Sequence, residues 1–410
     1  MAYKMLIISS YVPYDNVGHA GGKVHNYYLK KFISDKNFSV KLITFGSESE
    51  KDKIDLDEYG VDYYIDFPAR FFKDKSSYFF FNIKRRYNIL DKSAGMLPWF
   101  KRKVVLDKLK ELEGQGYYPD LILLEWTEMA LLIKDIKRIY PHAKYIASEQ
   151  DVSFLSFKRR YLREDNWIKK LAGYILYRNI LSYELDSMKH FDLIVTYNFK
   201  DRNLLIDHGI NAEKIDYIAP FYMNLSNLKP NYDNKNILFF GAMNRPENYE
   251  SCIWFIENVF NKLLKIDRSF KFIIIGSRPV DRLKQYADDN IVITGFVDDL
   301  SYYFENAMCM VAPLVLGAGI KVKVLEGMSA GAPILTNDIG IEGIPAIDGK
   351  EYMHCTTAED YVEKITAIIN NNIDTEYITR NARSMLSKEF DLEKSYLRYK
   401  ENIIKMMNES

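Results

Sequence analysis

The sequence predicts an α/β protein built from two doubly wound domains. Short runs of branched apolar residues alternate with amphipathic stretches along all 410 residues, as they do where parallel strands are joined by crossover helices. This length also exceeds that of one ordinary domain. Two such sheets facing one another create a cleft at the carboxyl ends of their strands, where α/β folds bind ligands.

Eleven segments carry the strand pattern. In the first half they are residues 4–10, 40–45, 61–67, 120–126, 144–150 and 192–198, and in the second half 236–242, 270–276, 290–296, 308–314 and 332–338. Proline, asparagine and other polar residues interrupt the pattern at 220–236. We therefore predict domains at 1–222 and 223–388, and a C-terminal helix at 389–410 that packs back on the first domain.

Charge and cysteine content exclude several classes of protein. Lys plus Arg equals Asp plus Glu at 56 each, so no overall field attracts nucleic acid. Three cysteines and six histidines are scattered without metal-ligand spacing, which argues against a structural zinc site and fits a reducing cytoplasm. The apolar run Met5–Ile8 is too short for a signal peptide, and no segment has the length of a membrane span. We expect a cytoplasmic protein.

A glycine-rich loop follows the first predicted strand. Gly18, Gly21 and Gly22 match neither G-x-G-x-x-G nor a P-loop, so a turn is favoured over an anion site at this position. His25 lies on the helix behind this loop. We favour a solvated helix position for it over one that faces the cleft.

Several strands of the second half end in glycine followed by polar or cationic residues. Gly241 precedes Asn244 and Arg245, Gly276 precedes a serine and an arginine, and Phe296 follows the glycine that ends its strand. Glycines often end strands, so each occurrence alone is weak evidence for a binding site. Together they indicate one face of a sheet at which the backbone can approach a ligand closely.

The stretch "PLVLGAGIKVKVLEGMSAGAPI", residues 313–334, predicts an anion site. We expect a helix to start at about Gly319, which places Lys321 and Lys323 where the helix dipole disfavours cations unless an anion is bound. Glu326 follows at the edge of an apolar face and could accept hydrogen bonds from two sugar hydroxyls. The alternative for Glu326 is an ordinary (i, i+3) pair with Lys323.

The segments from 237 to 260, 292 to 300, 311 to 344 and 192 to 205 resemble the GT-B-fold glycosyltransferases of family four, also called group one. The resemblance covers most of the chain and is strongest from Asn236 to Ile344. It implies two Rossmann-like domains, the first for the acceptor and the second for the nucleotide sugar. It also implies sugar transfer from a nucleotide diphosphate with retention of configuration, without a metal or other cofactor.

The resemblance also assigns roles to residues. It places Glu326 on the donor ribose and Lys321 or Lys323 on the diphosphate, where a cation stabilises the departing phosphate. The other donor contacts that it implies are Gly22, Gly241, Asn244, Arg245, Phe296, Val297, Gly317, Ala318, Gly319 and Ile320.

Two positions depart from the family pattern. Ala318 stands where the motif often has a glutamate, and Gln150 stands where relatives often have a histidine. A glutamine can hold a sugar hydroxyl but cannot act as an acid or base. Together with the two lysines, Glu149 and Gln150 are the candidate catalytic residues. Glu149 and Asp151 are candidate contacts to the acceptor or the donor sugar, with a structural role as the alternative.

Two segments of the first half are strongly basic. Residues 70–110 hold twelve Lys or Arg and three Asp, and residues 157–179 hold seven basic and two acidic residues, with aromatic residues interleaved. This pattern suits docking on an anionic membrane near a lipid-linked acceptor. A solvated face is the alternative, and nucleic acid is disfavoured by the donor-site resemblance.

The leading hypothesis is a cytoplasmic hexosyltransferase that uses a UDP-sugar, or alternatively a GDP-sugar, to build a bacterial surface polysaccharide or glycoconjugate. Its acceptor would be a glycan or a lipid-linked glycan, and it would work at the inner face of the plasma membrane. The alternative is a catalytically silent GT-B protein that binds a nucleotide sugar or stabilises a partner enzyme. A nucleotide-sugar epimerase is disfavoured because its acid–base carboxylates have no match in the sequence.

Overall fold

The computed structural model describes residues 2–15, 17, 19–86, 88–317 and 319–409. The chain forms two compact units. The first contains Met1–Ile218 and Glu393–Ser410, and the second contains Ala219–Leu392. The boundaries thus lie at 218 and 392, where the sequence predicted 222 and 388. The assignment of acceptor binding to one unit and donor binding to the other stays a prediction.

The first unit contains one sheet of seven parallel strands in the order β3-β2-β1-β4-β5-β6-β7. The strands are β1 Tyr3–Ser9, β2 Phe38–Phe45, β3 Asp62–Asp66, β4 Leu121–Glu125, β5 Lys144–Glu149, β6 Leu193–Thr196 and β7 Ile215–Tyr217. The helices are α1 Ala20–Ser34, α2 Lys75–Arg86, α3 Trp99–Gly114, α4 Thr127–Ala130, α5 Ile133–Ile139, α6 Ser153–Leu162, α7 Trp167–Met188 and α8 Phe199–Asp207.

The second unit contains six parallel strands in the order β10-β9-β8-β11-β12-β13. They are β8 Asn236–Phe240, β9 Lys271–Ile275, β10 Ile291–Gly295, β11 Cys309–Ala312, β12 Ile334–Thr336 and β13 Met353–His354. The helices are α9 Pro246–Phe255, α10 Asn261–Ile266, α11 Asp281–Lys284, α12 Ser301–Glu305, α13 Val322–Ala330, α14 Ala358–Ile369 and α15 Thr375–Glu389. A π-helical segment, Ile256–Phe260, joins α9 to α10.

The sheets form where the sequence predicts them. Each of the eleven predicted segments overlaps an observed strand, and the central strand β4 is buried along its whole length. Continuous apolar runs of this kind are typical of parallel strands that are covered on both faces by helices. The doubly wound α/β class predicted from the sequence is confirmed. The strands β7 and β13 were not predicted.

The last helix, α16 at Leu392–Asn408, packs on α1 within the first unit. The hydroxyl oxygens of Tyr28 and Ser395 are 3.0 Å apart, and the Tyr28 and Tyr399 rings meet edge to face. Asn402 donates a hydrogen bond to Asp216 at 2.7 Å. Residues from two distant parts of the chain therefore share one core.

Within the part of the chain that the structure describes, no helix is both long enough and apolar enough to cross a bilayer. The same residues contain no group of three or more His, Cys, Asp or Glu side chains arranged to hold a metal ion. The three cysteines are buried free thiols.

Candidate functional site

In the second unit, the loops after β8 and β9 approach each other closely. A Cβ atom on Gly276 would lie 1.7 Å from the carbonyl oxygen of Gly241, and both glycines have φ values above 150°. The amide of Gly241 donates to the carbonyl of Ile275 at 3.0 Å, and that of Gly276 to the carbonyl of Gly295 at 2.9 Å. Backbone therefore packs on backbone at these strand ends, and a side chain would prevent it.

Helix α13 begins at Val322, so the predicted start at Gly319 is wrong. Gly319 has a φ of +69°, in the left-handed region, and cannot belong to a right-handed helix. Lys321 is the residue before the helix and Lys323 lies in its first turn. Gly317 has a φ of +134°, and Ile320 packs partly buried against the core. Ala318 lies outside the described residues.

The two lysines have different surroundings. Lys321 is buried, donates a hydrogen bond to the carbonyl of Gly319 and lies 3.6 Å from the carboxylate of Glu342. Lys323 donates to the side-chain oxygen of Asn248, and its ammonium nitrogen lies 4.5 Å from the centre of the Phe239 ring. Burial lowers the pKa of Lys323 to about 8.

The structure brings Lys323 to the end of β8. A Cβ atom on Gly241 would lie 2.9 Å from the Lys323 ammonium nitrogen and 2.8 Å from the Asn248 amide nitrogen. Asn248 also donates to the carbonyl of Ala242 at 2.9 Å, which fixes the loop after β8. Sequence reasoning missed Asn248. Its only signal was a polar residue in the first turn of an apolar helix.

The other predicted donor residues lie in the segments that follow β8 and β10. Arg245 is exposed and pairs with Glu247 at 2.6 Å, and Asn244 is exposed beside it. Phe296 is 71% exposed after β10, and Val297 packs partly against the core. In the sheet, β10 is two strands away from β8.

Glu326 lies buried in the middle of α13. Its carboxylate accepts a hydrogen bond from the amide of Met223 at 3.2 Å. The hydrogen bond shown for the Lys323 ammonium goes to Asn248 rather than to Glu326. The structure thus gives no support to the alternative of a simple (i, i+3) pair.

In the first unit, Val17 and His19, which precede α1, pack tightly against Gly22 in the first turn of that helix. The Gly22 amide donates to the His19 ring nitrogen Nδ1 at 3.0 Å, which caps the helix. A Cβ atom on Gly22 would lie 2.8 Å from the Val17 side chain. This position therefore needs glycine for packing, whatever it binds.

The favoured solvated position for His25 is wrong. His25 is 1% exposed, and its Nδ1 lies 3.5 Å from the carboxylate of Glu125 at the end of β4. The inner face of α1 covers the sheet, so a residue on that face cannot remain solvated. Gln150 donates to the same carboxylate at 3.3 Å, which joins both side chains through Glu125.

Glu149 ends strand β5 and is 1% exposed. It accepts a hydrogen bond from the hydroxyl of Thr127, and burial raises its pKa to about 8. Glu184 lies nearby, and burial together with the charge of Glu149 raises its pKa well above the usual range. Its two oxygens accept the amides of Ser153 and Phe154, at 2.9 and 3.0 Å, and so hold the start of α6.

Three residues of this arrangement were not named from the sequence. Glu125 carried a signal, because a carboxylate that ends an otherwise apolar strand is unusual. Thr127 and Glu184 carried none, since their roles depend on contacts with distant segments. The first unit thus offers an amide, an imidazole and two carboxylates at adjacent strand ends. The second offers a lysine and glycine backbone suited to an anion.

Comparison with known proteins finds a family model that matches part of the chain. Residues 234–371 match the family model described as glycosyl transferases group 1. A curated protein of Klebsiella pneumoniae, an uncharacterized 44.6 kDa protein in the cps region, is 25% identical over 179 residues, 41% of this chain and 46% of its own length. An uncharacterized glycosyltransferase of Methanocaldococcus jannaschii is 22% identical over 268 residues, 57% of this chain and 64% of its own length.

The chain therefore spans about half to two thirds of the length of the curated relatives that it matches. Among solved structures, Anabaena HepE in complex with UDP-glucose is 13% identical, with a TM-score of 0.67 over 98% of this chain and all of that one. That likeness shows the fold. The chain has the GT-B fold, and its residues 234–371 match the model of the group 1 glycosyltransferases, the family that the sequence resembles.

Proposed function

We propose that the chain is a retaining hexosyltransferase that moves a sugar from a nucleotide diphosphate donor to a glycan or lipid-linked acceptor. The observation that carries the proposal is the position of Lys323 beside Gly241 and Asn248. A partly buried ammonium next to glycine backbone favours an anion such as a diphosphate. The UDP-glucose bound to the HepE neighbour favours a UDP-sugar, with a GDP-sugar as the alternative.

In this proposal the second unit binds the donor. Lys321 and Lys323 face the diphosphate, and the backbone of the turn from Gly317 to Ile320 contacts the phosphate and the sugar. Glu326 accepts hydrogen bonds from the ribose hydroxyls, and Phe296 with Val297 covers the base. As the sugar leaves, negative charge grows on the phosphate, and the fixed cations stabilise it.

The first unit, in turn, binds the acceptor. Gln150 can orient a sugar hydroxyl through its amide while Glu125 holds that amide in place. Since glutamine cannot take a proton, the departing phosphate oxygen accepts the proton of the acceptor hydroxyl. Glu149, protonated at neutral pH because of its raised pKa, acts as a hydrogen-bond donor rather than a base.

The basic segments 70–110 and 157–179 support a proposed location at a membrane surface. Aromatic side chains on them are exposed, among them Phe79, Phe80 and Trp167. Cations interleaved with exposed aromatic residues favour an anionic bilayer surface. The protein would thus act in the cytoplasm at the inner face of the plasma membrane, in the synthesis of a bacterial surface polysaccharide or glycoconjugate.

One observation favours a second function. Gln150, in the place where relatives often have a histidine, is already engaged with Glu125. A protein that binds a nucleotide sugar without transferring it, and that stabilises a partner enzyme, would tolerate this substitution.

Donor turnover tests the proposal. The chain is incubated with a panel of UDP- and GDP-sugars and a membrane lipid extract, and nucleotide diphosphate release is followed. We expect release with one donor, an α-configured product from an α-configured donor by NMR, and losses of at least about tenfold for Glu326→Ala and Lys323→Ala. The exposed Lys229→Ala is the matched control. Variants as active as the parent would contradict the site, and donor binding without release would favour the second function.

A further inference from the structure

The two basic segments of the first unit meet around a cavity of about 440 Å³. From the first segment, α2 contributes Phe79, Ile83 and Arg85, and from the second, α6 contributes Phe157 and Arg160. Asn179 of α7 donates to the carbonyl of Ile89 at 2.8 Å and so fastens the two segments together. The sequence showed two separate basic stretches, whereas the structure joins them into one concave site.

Arg85 gives this cavity its chemical character. Its Nε atom is buried, and among the described residues it has no hydrogen-bond acceptor. One terminal nitrogen reaches only the carbonyl of Met96, at 3.5 Å. A buried guanidinium N–H without an acceptor is costly, and an anion bound in the cavity would satisfy it.

The other charges of the lining also favour an anion. Arg160 is a second guanidinium, and it lies 5.2 Å from the centre of the Phe157 ring. Glu128 is the only carboxylate among the described lining residues, and it pairs with Lys101 at 2.8 Å. The cavity therefore keeps an excess of positive charge.

Apart from Asn82, the rest of the described lining is apolar, and part of it is open to solvent. Phe79 is 60% exposed and Ile83 is 42% exposed, while Met96 and Phe157 line the same cavity. An apolar wall beside two guanidinium groups complements a molecule that carries a phosphate on a hydrocarbon chain. An inorganic anion would leave the apolar wall in contact with water.

We propose that this cavity binds the phosphate of a lipid phosphate, with Arg85 and Arg160 on the phosphate and the chain along Phe79 and Ile83. The inference rests on the proposed function, for which it defines the acceptor as a sugar on a lipid phosphate. Glu128 also accepts the hydroxyl of Ser10, at 2.8 Å, directly after β1. The cavity thus adjoins the strand ends of the first unit, where a lipid-linked sugar would be needed.

Calorimetry on the full chain tests the site with farnesyl phosphate below its critical micelle concentration. Inorganic phosphate tests binding of the phosphate group alone, and farnesol tests binding of the hydrocarbon chain alone. We expect farnesyl phosphate to bind at least about tenfold more tightly than either. Equal binding of farnesyl phosphate and inorganic phosphate would overturn the lipid assignment, and no binding of farnesyl phosphate would overturn the site.

Two matched pairs of variants locate the binding. Arg85→Gln should lower the affinity for farnesyl phosphate about tenfold, whereas Lys84→Gln, an exposed neighbour outside the cavity with the same loss of charge, should change it less than about twofold. Phe79→Ala should weaken binding more than Phe80→Ala, which is 66% exposed and outside the lining. Equal effects within either pair would mean general attraction to a basic apolar surface and would overturn the cavity.

UDP affinity distinguishes this inference from the proposed function. Arg85→Gln should bind UDP like the parent, which also shows that the variant is folded. If the parent transfers sugar but binds no farnesyl phosphate, the cavity proposal fails and the enzyme proposal stands. If it binds farnesyl phosphate in the cavity but no nucleotide, the enzyme proposal fails alone.

Discussion

The ammonium group of Lys323 donates a hydrogen bond to the side-chain oxygen of Asn248, which is a neutral partner. The same asparagine donates to the carbonyl of Ala242 and so ties the lysine to the loop after β8. An amide orients the cation without neutralising it. The positive charge therefore stays available to a ligand at the strand end, and the lowered pKa of Lys323 reflects its burial.

Replacing Lys323 should separate stability from binding. For Lys323→Met we expect the free energy of unfolding at pH 7 to stay within about 1 kcal/mol of the parent, because the lost hydrogen bond and the removed buried charge offset each other. UDP affinity should fall at least about tenfold. Urea titration measures the free energy of unfolding and calorimetry measures UDP affinity. The substitution Lys229→Met, at an exposed lysine, is the control. Unchanged UDP affinity would contradict the proposed role of Lys323.

The affinity for UDP should depend on pH through the same group. Lys323 has a pKa of about 8 in the free protein, and a bound diphosphate favours its charged form. Binding should therefore take up a proton near pH 8, and affinity should fall as the pH rises from about 7 to about 9. Calorimetry in buffers of different ionisation enthalpy detects the proton. A parent profile as flat as that of Lys323→Met would refute the assignment.

Gly276→Ala should strongly destabilise the second unit. Its Cβ atom would lie 1.7 Å from the carbonyl oxygen of Gly241, so the loops after β8 and β9 would have to separate. We expect a loss of at least about 3 kcal/mol in the free energy of unfolding, or no folded protein. Gly114→Ala, whose Cβ atom meets nothing within 4 Å, should be nearly neutral. A stable Gly276→Ala variant with unchanged UDP affinity would show that this close approach is not required.

Glu149→Gln should stabilise the first unit, and more so at higher pH. The folded state raises the pKa of Glu149 from 4.5 to about 8, so the fold binds its proton more tightly than the unfolded chain does. The contribution of Glu149 to stability is therefore complete below about pH 4.5 and is lost as the pH rises through about 8. The gain for Glu149→Gln should be about 3 to 4 kcal/mol larger at pH 8 than at pH 5.

Urea denaturation of the parent and Glu149→Gln at both pH values measures this difference. The exposed Glu401→Gln is the matched control, and its stability relative to the parent should not change with pH. An equal gain for Glu149→Gln at the two pH values would mean that Glu149 is ionised throughout this range.

The strands could be predicted from the sequence because each is an apolar run bounded by polar residues. The two that were missed, Ile215–Tyr217 and Met353–His354, are too short to show a pattern. The start of α13 was placed too early because the left-handed backbone of Gly319 is not visible in the residue order.

Some site residues could be predicted from the sequence and others could not. Glycines and lysines at strand ends could be predicted because the strands themselves are recognisable in the sequence. The environment of His25 required knowing which face of α1 covers the sheet. Partners such as Asn248, 75 positions from Lys323, are fixed only by the folded chain.

The placement of α16 has a consequence for the order in which the protein is made. The helix Leu392–Asn408 supplies Tyr396 and Tyr399 to the core around Phe32. A ribosome releases those residues after all of the second unit, whose last residue is Leu392. The second unit therefore leaves the ribosome ahead of α16, and α1 of the first unit remains uncovered until α16 follows.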